Sequence, residues 1–198
     1  MIRIFIACLF IAVLAQASQA GDLPQAAVKH AKKYLHVREK TGRNDAPEID
    51  RMLAYLGLPK GLSWCAAFVI FDYKEAADEL RVKQPWPRYG RVAMLWETCK
   101  RNPLKYHAIT TEEVRLGIVR LQPGDLPVWA NGTIRNRDFN GHIGLVVSQL
   151  SPLKIKTIEG NTSSGDKGSQ RDGNGVFERT RAIAPGSFRI VGFCRARP

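Results

Sequence analysis

Three residues have types that do acyl chemistry together, in the order thiol, imidazole, carboxylate. Cys65 follows Trp64 at the start of a predicted helix. Unpaired backbone N–H groups at a helix N-terminus favour an anion, so they lower a thiol's pKa and suit an oxyanion. His142 stands between Gly141 and Ile143 at the start of a predicted strand, with Gly144 leaving room beside the ring. Glu159 ends the next predicted strand. If residues 142–149 pair antiparallel with 152–159, positions 142 and 159 become neighbours, and a carboxylate there orients the imidazole and favours its charged form. A slip of one residue would put them on opposite faces. Each residue also has a plain reading: an inert buried cysteine, a structural or exposed histidine, a strand-end surface acid.

The elements that must position them fall into helices first and strands later. Residues 24–40 read as a helix with Pro24 near its start and Ala27, Ala31, Tyr34 and Leu35 on one face. Residues 47–57 read as a second, with Pro47, Glu48 and Asp50 in its first turn and Gly57 at its stop. Residues 63–80 form a third, opened by Ser63 and apolar on every side from Trp64 to Phe71, the pattern of a helix inside the fold. A short helix is expected over 91–101. Beyond it the period changes. Pro123-Gly124-Asp125 signals a turn braced by Asp125; residues 142–150 and 153–160 read as strands of one hairpin across Ser151-Pro152; residues 176–181 and 187–194 supply two more. The fold class is α+β, N-terminal helices packed on a C-terminal antiparallel sheet.

The chain has 198 residues, 44% of them hydrophobic, which suits one domain with a real core and excludes a disordered chain or a fibre. Lys and Arg number 30 against 18 Asp and Glu, a formal net charge of +12, so acidic partners are expected: wall polymer, nucleic acid or anionic lipid. Residues 1–20 read as a secretory signal peptide: basic Arg3, an apolar run over 4–15, then small residues ending Ser18-Gln19-Ala20. Cys8 would leave with it, and residues 21–198 would form the single catalytic domain. Cys65, Cys99 and Cys194 then remain, an odd number, so at least one thiol is unpaired within the chain. Cys99 and Cys194 are a possible disulfide that would leave Cys65 free; two reduced, buried cysteines are the other reading. Trp64, Trp86 and Trp129 are candidates to line a substrate cleft, or to pack the core. The spacing of His30, His36 and His107 suggests no metal site, and no cofactor is expected.

The segments LSWCAAFV, PGDLPVW, GHIGLV and IEGNT, in that order, resemble a CHAP domain, a cysteine- and histidine-dependent amidohydrolase or peptidase of the papain-like NlpC/P60 superfamily. The resemblance covers roughly residues 25–195. It implies an NlpC/P60-type fold with Cys65 as nucleophile, His142 as base, Glu159 as the acid behind it and Asn161 completing the site. It also implies a peptidoglycan hydrolase, either an N-acetylmuramoyl-L-alanine amidase or a stem-peptide or cross-bridge endopeptidase. In the mechanism so implied, the Cys65 thiolate attacks the amide, His142 protonates the leaving amine, and water resolves a thioester. The expected protein is exported, periplasmic or secreted, with anionic peptidoglycan as substrate, no stable membrane insertion after signal cleavage, and a monomeric state taken by default. Two alternatives stand beside it. One is a secreted cysteine protease, transamidase or toxin acting on a protein or small amide, with a cognate inhibitor or immunity protein if a toxin. The other is an inactive basic protein that binds wall polymer or nucleic acid.

Overall fold

The computed structural model describes residues 22–135, 138–165, 173–184 and 188–197; the expected signal peptide, residues 1–20, lies outside them. In chain order the elements are α1 (22–32), α2 (Pro47–Tyr55), α3 (Cys65–Leu80), α4 (Val92–Arg101), β1 (Tyr106–Ile109) and the short α5 (Thr111–Arg115). They continue with β2 (Leu126–Arg135), β3 (Asp138–Ile143), β4 (Leu145–Ser151), β5 (Lys154–Thr162), β6 (Gly175–Ala182) and β7 (Phe188–Ala196). The architecture is α+β, with N-terminal helices and antiparallel strands after them.

α1 stops short of the predicted residue 40. Tertiary contacts override local helix preference there. Arg38 forms a bridge to Gly175, donates to the Val176 carbonyl at 3.0 Å and lays its guanidinium 3.8 Å from the Phe177 ring centre. α2 follows its sequence signals, with Pro47 and two acids at its start and Ile49, Met52 and Leu53 buried. α3 is buried from Cys65 through Tyr73 and is the central helix of the larger core. Its N-cap is Trp64, with no side-chain cap, so Ser63 does not take that role.

The strands form two sheets, with orders β1-β7-β2-β3 and β4-β5-β6. This corrects the single strand expected over residues 142–150. The chain changes sheet at Gly144: His142 is opposite Trp129 of β2, while Leu145 is opposite Ile158 of β5. The expected alignment of 142 with 159 on one hairpin ladder is corrected with it. The physical reason lies in Gly144, where a Cβ would stand 2.6 Å from Glu159 Cγ and 3.0 Å from the Ile158 carbonyl oxygen. Only glycine lets the chain cross β5 so closely. The sheets meet where the Gly124 N–H donates to the Val146 carbonyl and the Val146 N–H to the Asp125 carbonyl. Asp125 braces this corner: its carboxylate accepts the Gln122 N–H and a two-armed bond from Arg195.

Cys99 near the end of α4 is joined to Cys194 of β7 by a disulfide spanning 95 positions, tying the helical layer to the sheet. Cross-linking so distant positions restricts the unfolded chain strongly. The double substitution Cys99→Ala/Cys194→Ala is expected to lower unfolding free energy by about 2–5 kcal/mol, read from the urea midpoint. An unchanged midpoint would show that the link constrains nothing.

Candidate functional site

Cys65, His142 and Glu159 come together, though not along one hairpin. α3 brings Cys65 in at its first residue. β3 carries His142 to the edge of one sheet, and the crossing at Gly144 lays it over Glu159 of the other. His142 Nε2 lies 2.9 Å from Glu159 Oε2, and Cys65 is close enough to the same ring to raise its pKa. Trp129, opposite His142 on β2, packs beside the imidazole with ring centres 5.4 Å apart.

Glu159 has no exposed surface, and all four of its acceptor positions are used. Oε1 accepts from Thr157 Oγ1 at 2.5 Å and Arg181 Nε at 2.8 Å; Oε2 accepts from Arg181 Nη2 at 2.5 Å and faces His142. Arg181 comes from β6, reaches Thr162 Oγ1 at 3.3 Å, and places its guanidinium 5.7 Å from the Trp129 ring centre. Burial pushes the Glu159 carboxyl up, but the Arg181 and His142 hydrogen bonds and charges outweigh it and hold the pKa at about 2. Burial likewise favours neutral His142; the neighbouring Cys65 and Glu159 side chains, with their charges, overcome this and raise it to about 9. The buried unit is therefore a carboxylate clasped between an imidazolium and a guanidinium.

Asn161 adopts φ 58°, a left-handed conformation that Asn tolerates. Its Oδ1 accepts the Trp64 N–H at 3.2 Å, and its Nδ2 donates to the carbonyl of Gly173 and to Asn44 Oδ1. These bonds fix the approach to α3 against the end of β5. Trp64, Trp86 and Trp129 are all core side chains, at most 5% exposed. Trp64 packs edge-on to Phe68 and donates its indole N–H to Glu39; Trp86 stacks on Tyr106.

Two features were not read from the sequence. Arg181 sits in the alternating run Glu178-Arg179-Thr180-Arg181, which marks it as sharing a face with Arg179 but not as entering the interior. His30 of α1 is 7% exposed and pairs with the fully buried Asp72 of α3, Nδ1 to Oδ1 at 3.0 Å. Desolvation dominates there, lowering His30 and raising Asp72 well above the usual carboxylate range, so the pair favours its uncharged forms.

The expected peptidoglycan hydrolase, acting as a cysteine-dependent amidase or endopeptidase through a thioester, is corrected. That chemistry needs a free thiolate and a base that substrate can reach together. Cys99 and Cys194 are locked in their disulfide and supply no thiolate. Among the described residues the thiol that remains free, Cys65, is itself buried at 5% exposure, and His142 and Glu159 have no exposed surface at all. An amide on a wall polymer therefore finds no open imidazole to protonate its leaving nitrogen. A scan against protein-family models and a search of curated proteins found no match for the chain.

The charges of the buried unit set a pH window. Glu159 contributes stability that is complete above its unfolded-chain value near 4.5 and is lost as pH falls through about 2. His142 contributes stability that is complete below its ordinary 6.5 and is lost as pH rises through about 9. Glu159→Gln is expected to cost about 3–5 kcal/mol, since it strips the charge from a buried pair. The deficit against wild type should be largest between pH 4.5 and 6.5 and shrink on both sides, measured by denaturant unfolding across pH. A deficit independent of pH would contradict the ion-pair assignment.

Proposed function

We propose that this protein binds an anionic cell-wall polymer, on a papain-like scaffold of the CHAP or NlpC/P60 kind, and that the buried Cys65–His142–Glu159–Arg181 network serves that scaffold as an internal brace. The observation that carries the reading is how the charges are spent. Most described acids are engaged internally. Asp50 pairs with Lys60, Glu75 and Asp78 with Lys74, Glu97 with Lys100, Glu178 with Lys156, and Asp125 and Glu159 with arginines. Asp45 and Glu113 accept local turn and helix-cap hydrogen bonds. Among the described residues, positive charge is therefore presented by exposed side chains with no acidic partner, such as Lys29, Lys32, Lys40, Arg81, Lys83 and Lys105. A field of that sign concentrates a polyanion at the surface without any catalytic group.

Export supports a wall polymer over nucleic acid. The sequence reading expects a secretory signal, and the Cys99–Cys194 disulfide suits an oxidising compartment. The periplasm or the extracellular space is then the place of action.

Cosedimentation with purified sacculi across a salt series tests the proposal. Binding is expected near physiological salt and should fall steeply as the Debye length shrinks from about 8 Å to about 3 Å at 1 M. Cys65→Ser should bind as wild type does and release no more soluble product. Binding indifferent to salt would remove the electrostatic basis. Soluble peptide or glycan fragments released by wild type and not by Cys65→Ser would overturn the binding reading, and tighter binding to DNA than to sacculi at equal salt would reassign the polymer.

A further inference from the structure

A concavity lies between α5 and β7, on the far side of Trp129 from the buried network. It has a volume of about 400 Å³ and is lined by Thr111, Arg115, Ile183, Ala184, Arg189, Ile190 and Val191. That is the size of a site for a small ligand. Its construction follows from the sequence. α5 is held by a capping box, in which Thr110 and Glu113 exchange hydrogen bonds. The box consumes the Glu113 carboxylate and leaves Thr111 and Arg115, one turn apart, on the rim. β7 enters beside β2 with Arg189 opposite Ala130 and Ile190 opposite Trp129. Strand alternation turns Ile190 and Arg189 to different sides, so an apolar floor and a cationic edge arise from adjacent residues.

The floor is fixed. Ile183 is 1% exposed and Ile190 5%, both within the smaller core cluster that holds Trp129, Val146 and Phe193. The edge is not neutralised. Among the described residues Arg115 and Arg189 are exposed and have no acidic partner, whereas Arg181 and Arg195 are each paired with a buried carboxylate. Glu112 is on the same helix but does not line the cleft. Two guanidiniums over an apolar floor, with one hydroxyl beside them, match an oxyanion carried on a small apolar body. The guanidinium fork fits carboxylate and phosphate geometry, and Ala184 and Val191, the lining apolar side chains that reach solvent, accept the attached aliphatic group over the buried isoleucines.

We propose that the cleft between α5 and β7 binds a ligand with a terminal carboxylate or phosphate on a short aliphatic body, through Arg115, Arg189 and the accessible apolar surface of Ala184 and Val191. The site rests on the polymer-binding reading only for the sign of the ligand's charge. It adds a discrete recognition point to a diffuse field, one that takes the free end or pendant acid of a larger molecule.

Titration of the full chain followed by NMR provides the test, with N-acetyl-alanyl-valine, its C-terminal amide and isobutyl phosphate as probes. The acid peptide or the alkyl phosphate should shift resonances of Ala184 and Val191, and the two arms assign the oxyanion to one source or the other. The amide should bind about tenfold more weakly or worse, the effect of losing a charge-assisted bond. Arg115→Gln/Arg189→Gln should lose binding by at least as much while its unfolding midpoint stays that of wild type, because both side chains are on the surface. Acid and amide binding equally, the double variant binding as wild type does, or no binding of either oxyanion would overturn the proposal. Loss of sacculus binding with peptide binding intact would fall on the polymer reading and leave this cleft standing.

Discussion

One buried carboxylate organises this molecule. Glu159 sits where the two sheets and α3 converge, and it is tolerable there only because every lone pair has a donor. Removing a carboxylate from water is expensive, and a single cation rarely offsets it without further hydrogen bonds. Here Arg181 supplies two bonds, Thr157 one, and His142 the fourth contact. Each donor comes from a different register position or strand, so β3, β5 and β6 must all be correctly placed before the charge is satisfied. The interaction thus acts as a check on assembly as well as a source of stability.

The juxtaposition of His142 and Glu159 was legible in the sequence, but the route to it was not. The strand-like composition of residues 142–150 reads as one strand because composition says nothing about which neighbour a strand pairs with. The change of sheet at Gly144 depends on a close approach to Glu159 and Ile158 that appears only in three dimensions. Helix α2 followed its Pro and acidic first-turn signals and α3 its all-round apolar run, since those signals are local. α1 did not, because Arg38 is captured by β6 from far along the chain. Arg181 and the His30–Asp72 pair were illegible for a related reason: an ionisable residue among surface-like neighbours looks exposed until its partner is known.

The functional reading changed on a question of access. A thiol, an imidazole and a carboxylate in contact suggest a nucleophile with its base, and the structure does bring Cys65, His142 and Glu159 into one unit. Proximity alone does not expose them. With the base and its acid fully covered, the arrangement is better matched to holding α3 against β5 than to receiving a polymer. The surface carries the opposite message, since its acids are largely neutralised at home and its surplus cations face outward. In the binding function proposed above, recognition is a property of the exterior, and the internal charges serve the shape that displays it.

β7 has a consequence for how this chain reaches its native state. It is the latest strand in the sequence, yet it lies between β1 and β2 and carries Cys194 toward α4. The four-stranded sheet cannot close until residues 188–196 are available, so much of the core must wait for contacts of very long sequence separation. Such topology delays folding relative to local structure. A polypeptide emerging from its N-terminal side stays loosely paired until its final strand slots into the middle of the sheet.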